Sequence, residues 1–207
     1  MNNNKTATLL ARTVSVVLHP FIVPMYVVSV LLFADTAFAT YTPRFKFYIL
    51  WVVALYTLVI PFLTLCLLRS LGRLSSLRVD DRRERILPLA IGAMCYILCA
   101  VTIGRIPSAE LLRRFMLAAA CCEILCLAVT HVWKISLHLT ALGGCTAILI
   151  VLAVAGIGNL VPWLVAALLA AGVLGTARLY LGRHDGTQIA AGFFGGFAVA
   201  AFALLML

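Results

Sequence analysis

Runs of about twenty apolar residues, cut by short charged segments, constrain this chain more than anything else in it. A helix needs about 20 apolar residues to cross the hydrocarbon of a bilayer. In lipid, every backbone polar group must also find its partner within the span. Residues 14–34, 47–68, 87–103, 111–130, 162–177 and 189–207 fit this requirement, as does a stretch from His138 to near Gly158. Of the 207 residues, 64% are apolar and 11% charged, against roughly 45–50% and 25% in an ordinary soluble domain. The expected fold is therefore all-α, a polytopic transmembrane helical bundle of about six or seven spans forming a single domain over residues 1–207.

Local signals place the boundaries. Pro20 and Pro24 bend the first turns of the first span, which is read as an uncleaved helix because further hydrophobic spans follow it. Phe45, Phe47, Tyr48 and Trp51 sit where the second span meets the interface. Gly104-Arg105-Ile106-Pro107 breaks the third span, and Ser108 with Glu110 caps the fourth. Three polar segments, 69–85, 131–138 and 178–188, follow spans two, four and six, so all three share one side of the membrane. Their Lys and Arg content assigns that side, with the N-terminus, to the cytoplasm.

Sixteen Lys and Arg against seven Asp and Glu give a net charge of +9. With so little polar surface, that charge is crowded into a few loops, where it suits lipid headgroups or phosphorylated lipids. No soluble basic domain exists that could serve nucleic acid. The seven cysteines, Cys66, Cys95, Cys99, Cys121, Cys122, Cys126 and Cys145, lie in apolar runs without a CxxC pair, and read as small core residues. Gly192 and Gly196 form a GxxxG that can tighten helix packing. Asp80-Asp81-Arg82-Arg83-Glu84 resembles half of a prenyltransferase metal site, but the second acidic cluster is missing. A transporter is disfavoured because few ionisable residues fall at mid-membrane and no repeated pair of broken helices is visible.

Ionisable side chains at the ends of spans therefore carry the chemistry. Among His19, His131, His138 and His184, the second-last stands at the mouth of the fifth span and the last at the mouth of the seventh. His184 and Gln188 are one helical turn apart, so the amide oxygen can accept the Nδ1–H of His184 and leave Nε2 facing the loop side. One neutral imidazole could attack phosphorus while a second protonates the departing alkoxide. Arginines match phosphate oxygens bidentately and stabilise the charge that spreads over them. That set requires neither a metal nor another cofactor.

Three segments add a resemblance. Arg178-x5-His184-x3-Gln188 resembles the third signature, SRxxxxxHxxxD, of the type 2 phosphatidic acid phosphatase (PAP2) superfamily. Ser136-Leu137-His138 is similar to the second, PSGH, and Arg78-x6-Arg85 with Pro88 to the first, KxxxxxxRP. The order is the family's, and the PAP2-like core covers about 69–207.

The resemblance implies His184 as the nucleophile that forms a phosphohistidine, His138 as the acid for the leaving alcohol, and Gln188 as the orienting partner. Arg85, Arg178, Ser136 and Arg78 would hold phosphoryl oxygens, with Arg82 an alternative to Arg78. Substrates of membrane members are lipid phosphates and polyprenyl pyrophosphates. Short loops between the spans point to an integral membrane protein of a bacterial inner membrane. Gln188 stands where the family has Asp, and Ile135 and Leu137 where it has Pro and Gly. Losing the carboxylate behind a catalytic histidine costs about 10⁴ in a serine protease. The alternative is thus a PAP2-like protein that binds lipid phosphates, or acts as a scaffold, without turning them over.

Overall fold

The computed structural model describes residues 3–206 apart from 35, 37, 39, 78 and 80. The described chain is helical: α1 (Asn3–Val17), α2 (Val23–Phe33), α3 (Pro43–Ala54), α4 (Ile60–Ser70), α5 (Ile86–Ile103), α6 (Glu110–Thr130), α7 (Leu137–Val154), α8 (Val161–Tyr180) and α9 (Gly186–Met206). No strand occurs among the described residues. A π-helical stretch, Leu55–Val59, joins α3 and α4 into one rod, Pro43–Ser70. That rod, Arg83–Ile103, α7, α8 and α9 are each long and apolar enough to cross a membrane, and α2 is a shorter apolar helix.

The expected first span, 14–34, is not one helix. Pro20 has no N–H to continue the ladder of α1, and the chain runs irregularly from Leu18 to Ile22 before α2 begins. The carbonyls that the break releases are taken up inside the protein. That of His19 accepts from the amides of Ile22 and Val23 at 2.8 and 3.1 Å. That of Phe21 accepts from the hydroxyl of Thr57, a buried residue of the π-helical stretch, at 3.4 Å. Non-helical backbone beside membrane spans is tolerated when protein satisfies it in this way.

Helix α7 is the axis of the bundle. It is apolar on all sides, as a helix enclosed by others must be, and it packs against α2, α6, α8 and most closely α9. Glycines permit that approach. A Cβ on Gly143 would lie 2.0 Å from the carbonyl oxygen of Phe193, and one on Gly196 would lie 2.2 Å from that of Thr140. Gly192 likewise clears the carbonyl of Ser136. The GxxxG of α9 is therefore the seam between α7 and α9, and it draws the N-termini of both helices together. His138 stands at the start of one and Gln188 at the start of the other.

Candidate active site

All three polar segments and the break between α1 and α2 meet at one end of the bundle. They enclose a cavity of about 100 Å³ lined by His19, Arg85, His138, Arg178 and His184, with Glu123 on its inner wall. Its remaining walls are mostly apolar side chains of α4, α5, α7 and the loop before α5. The parity of the sequence segments, all on one side, is matched by this convergence.

His184 precedes α9 and is buried to 7% exposure. Its Nδ1 donates to Oε1 of Gln188 at 2.9 Å, as the i,i+4 spacing predicts, so Nε2 is the nitrogen left for chemistry. Burial pulls the imidazole down to about 4, and Arg178, Arg85 and Lys134 push the same way, while the bond to Gln188 acts against them. The ring is thus neutral at physiological pH, and Nε2 carries a lone pair. Asp185, the neighbouring acid, does not touch it. Its Oδ1 caps α9, accepting from the amide of Gln188 at 2.8 Å and the hydroxyl of Thr187 at 2.6 Å.

His138 is held from the other side of the cavity. Its Nε2 lies 3.0 Å from the carbonyl oxygen of Ser15 in α1. A carbonyl can only accept, so Nε2 bears the proton and Nδ1 is the nitrogen able to gain or lose one. Arg85 is 6% exposed, and its Nε donates to the carbonyl of Val79 at 2.9 Å. Val79 adopts φ +47°, an unusual backbone for a β-branched residue. Strain of this kind persists where surrounding structure over-determines it, and here it accompanies a carbonyl that grips a buried guanidinium. Arg178, in the last turn of α8, completes the ring of groups around the cavity.

The other expected residues are placed differently. Arg82 is exposed and turns away from the cavity, with Nη1 donating to the carbonyl of Val132 at 2.7 Å. That bond ties the first polar segment to the second. Ser136 lies behind the cavity wall rather than on it; its amide approaches the carbonyl of Gln188 at 3.4 Å. Its hydroxyl is fully buried and makes no hydrogen bond among the described residues. Arg78 lies outside the described residues. Of the loop acids, Glu84 accepts from the amide and hydroxyl of Ser75 at 3.1 and 3.0 Å, and Asp81 accepts from the amide of Arg83 at 2.9 Å.

Two cavity residues had no place in the sequence motifs. His19 comes from the break after α1, and its signal was an ionisable residue beside Pro inside an apolar run. Glu123 comes from the middle of α6, where a carboxyl in an apolar helix is itself a functional signal. It also lines a second cavity of about 50 Å³, walled by α2, α5, α6, α7 and α9. Gly92 of α5 makes room for it, since a Cβ there would fall 2.6 Å from Oε1. Comparison with protein families, curated proteins and solved structures finds no match to this chain.

Proposed function

We propose that this chain is a phosphatase of about six or seven spans in a bacterial inner membrane, PAP2-like, that removes phosphate from a membrane lipid monoester or pyrophosphate. Six spans are the rod Pro43–Ser70 and α5 to α9, with α6 counted although Glu110, Arg113, Arg114 and Glu123 lower its apolar character; the 11-residue α2 enters the bundle without the length to cross it alone. The observation that carries the reading is a single cavity. In it, a neutral His184 backed by Gln188 faces His138, Arg85 and Arg178.

In the first step the Nε2 lone pair of His184 attacks phosphorus. The bond from phosphorus to the lipid oxygen breaks with its electron pair on that oxygen, which takes a proton from Nδ1 of protonated His138. Arg85 and Arg178 hold the non-bridging oxygens as charge spreads over them. In the second step water attacks the phosphohistidine and gives its proton to His138, and the phosphorus–nitrogen bond returns its pair to His184. Gln188 keeps the Nδ1–H of His184 oriented throughout, as the carboxylate of the PAP2 signature does, but without a charge to stabilise the imidazolium.

That missing charge favours a second reading, in which the site binds lipid phosphate and does not release it. Purified protein incubated with lipid phosphates and pyrophosphates, with EDTA present, separates the two. Inorganic phosphate release that depends on His184, with phosphohistidine trapped at that residue, supports the enzyme. Saturable binding that needs Arg85 and Arg178, with no release, supports the binder.

A further inference from the structure

His19 has no part in the displacement just described, yet its ring faces the same cavity as the four groups that do. The break between α1 and α2 fixes that ring. The amide of Phe21 donates to Nδ1 of His19 at 3.3 Å. A backbone N–H can only donate, so Nδ1 must hold a lone pair, and the proton of the neutral ring is on Nε2. The ring also meets Phe21 edge-on, at 4.7 Å between centroids.

His138 is fixed in the opposite sense. The Ser15 carbonyl holds its proton at Nε2 and leaves Nδ1 to exchange one. The two rings meet edge to face, 5.3 Å apart and 80° inclined. One cavity wall therefore offers two imidazoles with complementary tautomers, a proton exchanger and a fixed N–H donor. A neutral N–H that is oriented before the reaction is suited to an oxygen that gains charge in the transition state, because it needs no reorganisation. Neutral imidazole serves as an electrophile in this way elsewhere.

We propose that His19 is a third catalytic histidine, whose Nε2–H donates to a non-bridging oxygen of the phosphoryl group under attack. This rests on the phosphatase reading above and extends its anion-binding set from the two arginines to a neutral N–H donor lining the same cavity. His19 transfers no proton; its hydrogen bond strengthens as the oxygen gains charge.

Two substitutions test the role. His19→Phe keeps a ring against Phe21 and removes both nitrogens, while His19→Gln keeps an N–H donor at similar reach. Phosphate release from a lipid phosphate in detergent micelles gives kcat and KM, and orthovanadate inhibition reports on a pentavalent mimic of the transition state. His19→Phe is expected to lower kcat about 10²-fold with KM little changed, as for loss of an oxyanion donor. Orthovanadate should weaken by a similar factor and inorganic phosphate by less, and His19→Gln should recover at least about tenfold of the lost rate. His19→Phe within about twofold of wild type overturns the inference. So does an equal loss in both variants, which marks a structural residue in the break. A wild type that releases no phosphate from any lipid removes the phosphatase reading and this inference together, whereas an active wild type with an indifferent His19→Phe removes the inference alone.

Discussion

The two ends of the bundle use arginine in opposite ways. At the end away from the site, Arg113 and Arg114 of α6 both bind Glu110, at 2.7 and 3.1 Å, one helical turn apart and half exposed. At the site end, Arg85 is buried and gripped by the neutral carbonyl of Val79, and it shares a cavity with Arg178 and three histidines. Exposed ion pairs contribute little to stability because solvent screens them. Guanidinium groups gathered around a cavity that also holds imidazoles are costly to assemble, and an oxyanion placed among them is the natural complement. Arginine counts do not separate these cases; burial and the identity of the partner do.

The sharpest break of this contrast is His184→Ala, expected to reduce phosphate release about 10⁴-fold or more and to abolish phosphohistidine labelling, measured by acid-labile phosphate on the protein. Next in size, Arg178→Ala should weaken inhibition by inorganic phosphate and kcat/KM by about 10²-fold. Arg178→Lys should restore only part, because an ammonium lacks the planar fork.

Packing gives the third prediction. Gly196→Ala places a Cβ against the Thr140 carbonyl and should destabilise the fold by about 1–3 kcal/mol, read as a lowered thermal midpoint in detergent. Gly172→Ala, whose Cβ meets nothing within 4 Å, should be neutral or slightly stabilising in the same assay.

The fourth sharpens the electrostatics. His184 titrates at about 4 because burial disfavours its charged form. The His184 lone pair should therefore be kept through neutral pH and lost only as pH drops through about 4, which sets the acid limb of turnover, while deprotonation of the acid His138 sets the alkaline limb. Gln188→Glu places a carboxylate on the imidazole, favours the charged ring, and should move that acid limb upward toward the ordinary histidine value. A pH–rate profile with an unmoved limb contradicts His184 as the group that must be neutral. Smallest of all, Glu110→Gln should leave phosphate release within about twofold, since its pairs lie at the other end of the molecule.

Much of this was legible in the sequence. Periodic alternation of long apolar runs with charged segments locates the helices, because lipid permits few alternatives to a hydrogen-bonded helix. Parity puts 69–85, 131–138 and 178–188 at one end, and the four-residue spacing anticipates the bond between His184 and Gln188, although His184 itself precedes α9 and Asp185 caps it. Gly192 and Gly196 were visible as a packing motif, although not as the seam that brings the N-termini of α7 and α9 into contact.

Other features depend on contacts between distant segments, which no local pattern encodes. Arg82 and Arg85 are three residues apart, yet one reaches out to Val132 and the other is buried in the cavity. The 3-10 turn Arg83–Arg85 follows Arg82, and the carbonyl of Val79 accepts from Arg85 on the inward side. Ser136 is withdrawn behind the wall because α7 starts against α9.

His19 illustrates the division most clearly. The sequence shows a histidine followed by proline in an apolar run, and proline chemistry dictates that the helix stops there. Only the packing of α1 on α8 and of the following turn on Thr57 decides that this interruption lies over the cavity. The tautomers of His19 and His138 are set by a backbone amide and a backbone carbonyl from different elements. Local sequence thus determined which segments are helical, which side the charges share and which residues are one turn apart. Tertiary structure decided which of those charges are buried together and which nitrogen of each imidazole carries its proton, because both depend on groups brought near only when the helices pack.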